Sequence, residues 1–363
     1  MKTSKKVLHL VEYLYLGGIE RLLEQLALNT GDEAQLHFFT YETETLGGIG
    51  KAISDRDFPV FTFKKKSGRD WNLVRELIRV VKEHQIDTIH THDFGPMEYA
   101  TLLKVRFPHL RLIHTQHTVH HFLARKSYRY FFQAASYLYK CIICVSGHVK
   151  DSIIGGCPAV NKKALRVIPN GVDTNLFTPD KSKTITFSPL KLVSVCRISY
   201  EKNLDYLLNT CRLLKEHQIP FEFHHAGTSK LPSTKANLEK YVTDHGLESE
   251  VTFYGFMEDP RAVLAKGDFF VSSSLQEGHP VAVLEAMALE KICICSDIAP
   301  HKETSHGVIE LFNLANERAL FELLKNFSQQ KPDLNILMGQ TRDVVLKNYS
   351  LKKMVDEYVE LYF

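Results

Sequence analysis

The fold that we expect for this chain is decided by the stretch Ser272-Ser-Ser-Leu-Gln-Glu-Gly-His-Pro-Val-Ala-Val-Leu-Glu-Ala-Met-Ala-Leu289. It follows the short apolar run 268–271, which is typical of a buried strand. Gly278 permits a sharp turn, and Pro280 suits the first position of a helix that the good helix formers of 281–289 continue. The stretch therefore predicts a strand, a tight turn and the start of a helix.

Two carboxylates flank the start of this helix, Glu277 just before it and Glu285 within it. A helix start offers free N–H groups and a partial positive charge, which together receive a phosphate group. A carboxylate accepts two hydrogen bonds at once, which suits the vicinal diol of a ribose or another sugar. The alternative is that Glu277 is a capping acid and Glu285 a solvated helix residue.

The order of residues in this segment resembles a family signature. Ser-x-x-Glu-Gly-x-Pro over 274–280, followed by Leu-Glu-Ala-Met-Ala over 284–288, is similar to the Glu-x7-Glu signature of the retaining GT-B glycosyltransferases, the GT4-like group. The resemblance implies that Glu277 holds hydroxyls of a donor sugar and that Glu285 holds a ribose diol. The donor-binding residues that it implies here are Glu277, Gly278, His279, Pro280, Val281 and Glu285.

Length and composition indicate a globular protein of two domains. The chain has 363 residues, too many for one ordinary core, and 44% of them are hydrophobic. A formal net charge of +3 is too small an excess to favour nucleic acid as a partner. The N-terminus shows neither a signal peptide nor a membrane span, so we expect a cytoplasmic protein, which can still lie on the inner face of a membrane.

Strand-like and helix-like stretches alternate along the first half of the chain. This alternation predicts a parallel sheet with helices on both faces, and ligands of such sheets bind at the carboxyl ends of the strands. Polar runs follow strands at those ends, namely His90-Thr-His-Asp93 and His114-Thr-Gln-His-Thr118. The predicted strands are 7–11, 36–40, 60–63, 88–90, 110–115, 142–145 and 165–168, and the predicted helices are 21–28, 71–84 and 98–106.

The histidines after the strand 110–115 need separate weighing. His114, His117, His120 and His121 are dense enough to suggest zinc, but no acid or cysteine completes the set at a standard ligand spacing, so we predict no metal site. His117 stands where the GT4-like family carries a histidine near the sugar and its leaving phosphate. The resemblance implies that His117 donates to a sugar hydroxyl or to developing negative charge. The alternative is a surface-loop histidine.

Glycines and cations at two further strand-to-helix turns complete the predicted site. Gly17 and Gly18 let a backbone approach a ligand closely, and their Gly-Gly-x-Glu loop resembles the family loop that faces the donor phosphates and the acceptor. Arg197 and Lys202 follow the strand 191–195 and can clamp a diphosphate. They resemble the family element Gly-Arg-Leu-x-x-x-Lys-Gly, with other residues in place of its glycines. An ordinary turn and solvated side chains are the alternatives.

The strand 221–226 ends at Gly227, another point where a backbone can approach a ligand. Residues 251–259 resemble the family segment that reads the nucleotide base through its backbone. Phe256, Met257 and Glu258 are the residues that this resemblance implies.

A basic and aromatic stretch at 122–132, with Lys64-Lys-Lys66 as a second basic run, can bind a membrane interface. The alternative is a helix that buries its aromatic side chains and leaves its arginines in water. The stretch keeps open an acceptor that is lipid-linked or polyanionic.

The alternation thus predicts a doubly wound α/β protein, and the resemblance implies the GT-B architecture of two Rossmann-like parallel-sheet domains facing across a cleft. The acceptor domain is expected at 1–180 and the donor domain at 190–345. The C-terminal segment at about 346–363, with an amphipathic helix predicted at 351–361, is expected to return to the first domain.

The implied activity is the transfer of a sugar from a nucleotide-diphosphate donor to a hydroxyl acceptor with retention of configuration. UDP is the favoured nucleotide and GDP the second choice, in the synthesis of a surface glycan or a lipid-linked saccharide. Because Arg197 and Lys202 occupy the place of a metal ion, we expect neither a divalent metal nor a cofactor. The implied catalytic residues are His117, Glu277, Arg197 and Lys202. Alternatives are a nucleotide-sugar epimerase on the same architecture and a non-catalytic nucleotide-sugar binding protein.

Overall fold

The computed structural model describes residues 4–15, 17–43, 45–182, 184–229, 231–330 and 335–363. Contacts divide the chain into two compact units. The first contains Met1–Gly171 and Leu351–Phe363, and the second contains Val172–Ser350. Each unit has its own sheet, which consists mainly or entirely of parallel strands, as the alternation of strands and helices predicts.

The strands of the first unit are β1 (Lys5–Val11), β2 (Ala34–Thr40), β3 (Glu42–Thr43), β4 (Val60–Lys64), β5 (Thr88–His92), β6 (Arg111–Gln116), β7 (Cys141–Cys144) and β8 (Leu165–Val167). In the described part of this unit they form one sheet in the order β3-β4-β2-β1-β5-β6-β7-β8. Neighbours are parallel except β3 and β4, which are antiparallel. The helices are α1 (Gly18–Asn29), α2 (Gly48–Ser54), α3 (Trp71–Glu83), α4 (Phe94–Arg106), α5 (His120–Leu123), α6 (Lys126–Ala135), α7 (Gly147–Gly156) and the C-terminal helix (Leu351–Tyr362).

Both faces of this sheet are covered, because the side chains of a strand alternate between them. Leu8 and Leu10 of β1 pack in a core with α3 and α4. Val7 and Val11 pack in a separate core with α1 and the C-terminal helix, which contributes Tyr358. Burial on both faces explains why the strands read as near-continuous apolar runs.

The strands of the second unit are β9 (Leu190–Val195), β10 (Phe221–Ala226), β11 (Val251–Gly255), β12 (Phe269–Ser272), β13 (Ile292–Ser296) and β14 (Glu310–Phe312). The helices are α8 (Leu204–Glu216), α9 (Pro232–Asp244), α10 (Arg261–Leu264), α11 (Val281–Ala288), α12 (Ala299–Ser305), α13 (Ala319–Gln330) and α14 (Asn335–Asn348). The described strands form one parallel sheet in the order β11-β10-β9-β12-β13-β14.

This strand order has a direct consequence for ligand binding. With β9 counted as the first strand, the order is 3-2-1-4-5-6, which is that of a dinucleotide-binding Rossmann sheet. Successive strands are added on one side of the first strand and then, from the fourth strand on, on its other side. The loops after β9 and β12 therefore flank a crevice at the carboxyl edge, where such sheets bind ligands.

The boundary between the units differs from the expected one. The first unit ends at Gly171 and not at 180, because the following residues pack with the second unit. The Val172 N–H donates to the Tyr349 carbonyl over 2.8 Å, and Phe177 lies in the same core as Tyr349. The C-terminal helix begins at Leu351, as predicted, and the residues from 346 to Asn348 belong to α14 of the second unit.

The basic and aromatic stretch at 122–132 includes part of α6. Phe132 is buried in the core, whereas Arg125 and Tyr130 are exposed. None of the described helices is long and apolar enough to cross a membrane. Contact of this stretch with a membrane surface stays a prediction.

Candidate functional site

Lys202 and Glu277 form an ion pair at the carboxyl edge of the second sheet. Lys202 ends a short turn after β9, and Glu277 lies between β12 and α11. These two strands flank the crevice of the second sheet, so the ion pair lies where its strand order predicts a ligand. Both residues were expected at this edge from the sequence, but their direct contact was not predicted.

Hydrogen bonds hold the two loops together. The Ser273 hydroxyl donates to the Asn203 carbonyl over 2.8 Å, and the Leu275 N–H donates to the Glu201 carbonyl over 2.8 Å. The Ser274 hydroxyl donates to Oε1 of Glu277 over 2.7 Å, the same oxygen that accepts from Lys202. The carboxylate is therefore held by two side chains before any ligand binds.

Glu277 is ionised at neutral pH. Burial raises the pKa of its carboxyl group, but the Lys202 ammonium, His301 and the Ser274 hydroxyl lower that pKa more strongly. Because its net pKa lies below the usual range, Glu277 is a hydrogen-bond acceptor and not a proton donor. This property suits an acceptor for sugar hydroxyls.

Buried histidine nitrogens without a protein partner lie after β12 and after β13 of the same unit. Nδ1 of His301 donates to the Ser296 carbonyl over 2.8 Å, so its Nε2 carries a lone pair. Among the described residues, neither this Nε2 nor either ring nitrogen of His279 has a hydrogen-bond partner. Burial lowers the pKa of His279 to about 4 and also lowers that of His301, so both rings are neutral at pH 7. Orphaned buried polar atoms are rare in folded proteins, so these three nitrogens are open to a hydrogen bond with a group that is not part of the protein.

Further predicted donor-site residues of the second unit differ in their exposure. Arg197 follows β9 and is exposed. In the part of the chain that the structure describes, its guanidinium is neither hydrogen-bonded nor ion-paired. Glu285 is half-buried within α11, which begins at Val281 directly after Pro280. Gly278 lies between Glu277 and His279 and is half-buried.

The predicted base-reading segment follows β11. Phe256 and Glu258 are exposed, while Met257 packs against the core beside α11. The structure thus brings Lys202 and Glu277 into contact. It places Arg197 after β9, as it does Lys202, and it places Gly227 after β10 and the segment 256–258 after β11 of the same sheet.

Gly227 is the point where a side chain is least tolerable. Its φ is +148°, and a Cβ atom there would fall on the Cys196 carbonyl oxygen. We expect Gly227→Ala to lower the free energy of unfolding of the second unit by about 3 kcal/mol, from backbone strain and overlap together. Gly307→Ala is the matched control, because Gly307 also has a positive φ of +83° but open space around its Cβ position. Equal losses for the two variants, measured by urea denaturation, would contradict the overlap.

In the first unit, Gly17 precedes α1 and Gly18 opens it. His117 follows β6 and is buried, with 8% of its surface exposed. Its backbone N–H donates to Oδ1 of Asp93 over 3.0 Å, and burial raises the pKa of Asp93 to about 6. His117 is therefore part of a buried polar cluster and not a surface-loop histidine. The side chains of His120 and His121 lie outside the described residues.

His90 and His92 belong to a polar run that was predicted from the sequence, whereas His9 and its place beside them were not predicted. His9, His90 and His92 lie close enough together to hold a metal ion. However, all six of their ring nitrogens already take part in hydrogen bonds with side chains. Neighbouring rings are stacked, for example His90 on His92 at 4.5 Å between centroids, so their in-plane lone pairs do not converge on one point. The expectation of no metal stays a prediction.

A signal for this set exists in the sequence. His9 stands inside the apolar run of β1, and β1 pairs directly with β5, the strand of His90. A polar ring at such a position must find a buried partner. In the second unit, His301 had a weaker signal, five residues after the strand-ending Ser296.

Two family models together match most of the chain. The one described as Glycosyltransferase Family 4 matches residues 16–176, and the one described as Glycosyl transferases group 1 matches residues 189–329. They correspond closely to the two units of the structure.

Individual proteins match over the whole length. The chain is 25% identical to the UDP-Gal:alpha-D-GlcNAc-diphosphoundecaprenol alpha-1,3-galactosyltransferase of Escherichia coli, over 98% of this chain and 96% of that protein. A glycosyltransferase from Rickettsia africae has the same fold, with a TM-score of 0.83, 18% identity and coverage of 99% and 98%. Anabaena Alr3699/HepE, in a complex with UDP, has a TM-score of 0.82 at 16% identity and 98% coverage of both chains.

Proposed function

Because the chain belongs to the GT4-like glycosyltransferases, which have the GT-B fold, we propose that it transfers a hexose from a UDP-sugar to a hydroxyl of a lipid-linked saccharide, with retention of configuration. The ion pair of Lys202 and Glu277 at the crevice of the second sheet, beside buried histidine nitrogens without partners, is the observation that carries the proposal. UDP is favoured because the E. coli relative is named for UDP-Gal and the Anabaena protein binds UDP.

The residues of the second unit have separate roles in this proposal. Arg197 and Lys202 neutralise the diphosphate, which is the leaving group. Glu277, as a carboxylate, accepts hydrogen bonds from hydroxyls of the transferred sugar, and Glu285 accepts from the ribose diol. Arg197 and Lys202, which we call the diphosphate clamp, supply the positive charge that a divalent metal would otherwise supply. We therefore propose a reaction without metal.

The reaction breaks the bond between the anomeric carbon and the phosphate oxygen, and it forms a bond from that carbon to the acceptor oxygen on the same face. The acceptor proton moves to the departing phosphate oxygen, so no protein base is needed. His117 is the neutral hydrogen-bond donor that the first unit offers to the substrate.

Transfer is tested with purified protein in EDTA, a panel of UDP- and GDP-sugars, and GlcNAc-diphosphoundecaprenol as acceptor. We expect UDP release that requires the acceptor, and a loss of at least about 100-fold in Arg197→Ala, the size seen when one group that stabilises a developing charge is removed. Arg318→Ala is the control, because Arg318 is a half-exposed arginine that pairs with Glu322 in the same unit.

The assay, run with and without acceptor, separates a transferase from the two alternative functions. Conversion of the donor sugar without acceptor would identify an epimerase. Binding without any turnover would identify a non-catalytic nucleotide-sugar protein. An unchanged rate in Arg197→Ala would remove that residue from the clamp.

A further inference from the structure

A continuous chain of hydrogen-bonded side chains runs through the buried interior of the first unit. We call it the histidine chain, and its members in order are Tyr358, Thr115, His90, Tyr362, His9, His92 and His117. All of them except His117 are at most 2% exposed. The chain thus connects the C-terminal helix to a single partly accessible imidazole.

The half near His117 consists of three imidazoles. Nε2 of His117 lies 3.2 Å from Nδ1 of His92. Nε2 of His92 lies 3.0 Å from Nδ1 of His9, whose Nε2 lies 3.3 Å from the Tyr362 hydroxyl. Each neutral imidazole has one donor and one acceptor nitrogen, so these three rings must all donate in the same direction.

The other half fixes that direction. The Tyr362 hydroxyl lies 3.0 Å from Nδ1 of His90, and Nε2 of His90 lies 2.8 Å from Oγ1 of Thr115. Oγ1 of Thr115 lies 3.4 Å from the hydroxyl of Tyr358, which has no other partner among the described residues. If the protons pointed toward Tyr358, its buried O–H would have no acceptor, which costs free energy.

The protons of the chain therefore point from Tyr358 toward His117. Tyr358 donates to Thr115, and each following group donates to the next one. Nε2 of His117 then accepts from His92, so the proton of its neutral ring is on Nδ1. Of the ring nitrogens in the histidine chain, Nδ1 of His117 is the one that has no hydrogen-bond partner among the described residues.

We propose that the histidine chain holds His117 as the Nδ1–H tautomer, and that His92, His9 and Tyr362 are positioning residues which act on the substrate through His117. The tautomer stands independently, whereas the effect on turnover rests on the proposed function. The positioning residues touch no substrate themselves.

The charge state of the rings agrees with this polarity. Burial lowers the pKa of His117 and that of His9 to about 3, and burial with the neighbouring imidazoles lowers the pKa of His90 and His92 well below the usual range. All four rings are neutral at pH 7, which the scheme of one donor and one acceptor requires. The backbone of His117 is held separately, by Oδ1 of Asp93.

Two-bond ¹H–¹⁵N spectra of histidine-labelled full-length protein report the tautomer directly. We expect His117, assigned by the signal lost in His117→Gln, to show a protonated Nδ1 and an unprotonated Nε2 at pH 7.5. A protonated Nε2 in the wild-type protein would overturn the proposal. The spectra are recorded on the wild-type protein without substrate, and His117→Gln serves only for the assignment, so failure of the proposed transferase activity leaves the result decisive.

Tyr362→Phe tests the positioning role, because it deletes one hydroxyl and cuts the chain between His90 and His9. We expect a mixture of the two His117 tautomers and a roughly tenfold lower kcat with little change in KM for the donor. Tyr99→Phe is the matched control, since it deletes another buried phenol hydroxyl of the unit, one that bonds the Asp70 N–H outside the chain. If Tyr362→Phe leaves both the tautomer and kcat unchanged, or if the two variants behave alike, the positioning role is wrong.

Discussion

We expect Lys202→Met to lower the free energy of unfolding of the second unit by about 3 kcal/mol, because it leaves a buried charge without its partner. The Glu277 side chain is only 12% exposed and that of Lys202 only 20%. After the substitution, the Ser274 hydroxyl is the remaining side chain seen to bond the carboxylate. The measurement is denaturant unfolding at pH 7.5, fitted with one transition for each unit.

Two further variants separate the buried charge from a general loss of packing. Lys202→Met with Glu277→Gln is expected to lose only about 1 kcal/mol, since no unpaired charge remains. Lys240→Met, which breaks an exposed ion pair with Asp244 in the same unit, is expected to lose less than about 0.5 kcal/mol. A double variant as unstable as Lys202→Met alone would show that the charge is not the cause.

We expect acid to destabilise the first unit steeply below about pH 6. Five of its buried histidines have lowered pKa values: about 3 for His9 and His117, about 4 for His114, and well below the usual range for His90 and His92. In the unfolded chain each returns to about 6.5, so the unfolded state binds more protons as the pH falls. The stability that these groups contribute is complete above about pH 6.5 and is lost toward the lower folded values.

One group acts in the opposite direction. Burial raises the pKa of Asp93 to about 6, so its folded form binds a proton that the unfolded form releases between about pH 4 and 6. Its contribution is therefore present at low pH and lost as the pH rises through about 6. One such proton offsets only part of the effect of five histidines.

The expected result is a loss of more than about 4 kcal/mol between pH 7 and pH 5, since each histidine contributes up to about 1.4 kcal/mol per pH unit. Denaturant unfolding at three pH values measures this slope. His114→Gln should reduce the slope by close to one proton, whereas His109→Gln, at an exposed position, should not change it. A wild-type slope of one proton or less would contradict the buried neutral histidines.

The sequence predicts the strands well because both faces of each sheet are buried. The prediction 221–226 coincides with β10, and 60–63 differs from β4 by one residue. The two-residue strand β3 at the edge of the sheet was not predicted, because so short a strand has no apolar pattern of its own. The boundary at 180 was wrong because the polar stretch after Gly171 reads as a linker, whereas Phe177 anchors it to the second unit.

The residues of the candidate site could be predicted from the sequence, but the ion pair and hydrogen bonds between them could not. The turns after β9 and β12 identify Lys202 and Glu277, and their ion pair follows only when the strand order brings the two loops together. The hydrogen bond between His9 and Tyr362 joins residues 353 positions apart, and no local pattern encodes it. Such contacts depend on sheet register and on the packing of the C-terminal helix.

The proposed function requires that the second unit binds a nucleotide-diphosphate sugar without metal. A thermal-shift panel of UDP, GDP, ADP and their common sugar forms, in the presence of EDTA, tests it most directly, because a ligand that binds only the folded state raises the melting temperature. We expect a clear shift with UDP and UDP-sugars that is lost in Arg197→Ala and retained in Arg318→Ala. No shift with any nucleotide, or an equal shift in Arg197→Ala, would contradict it.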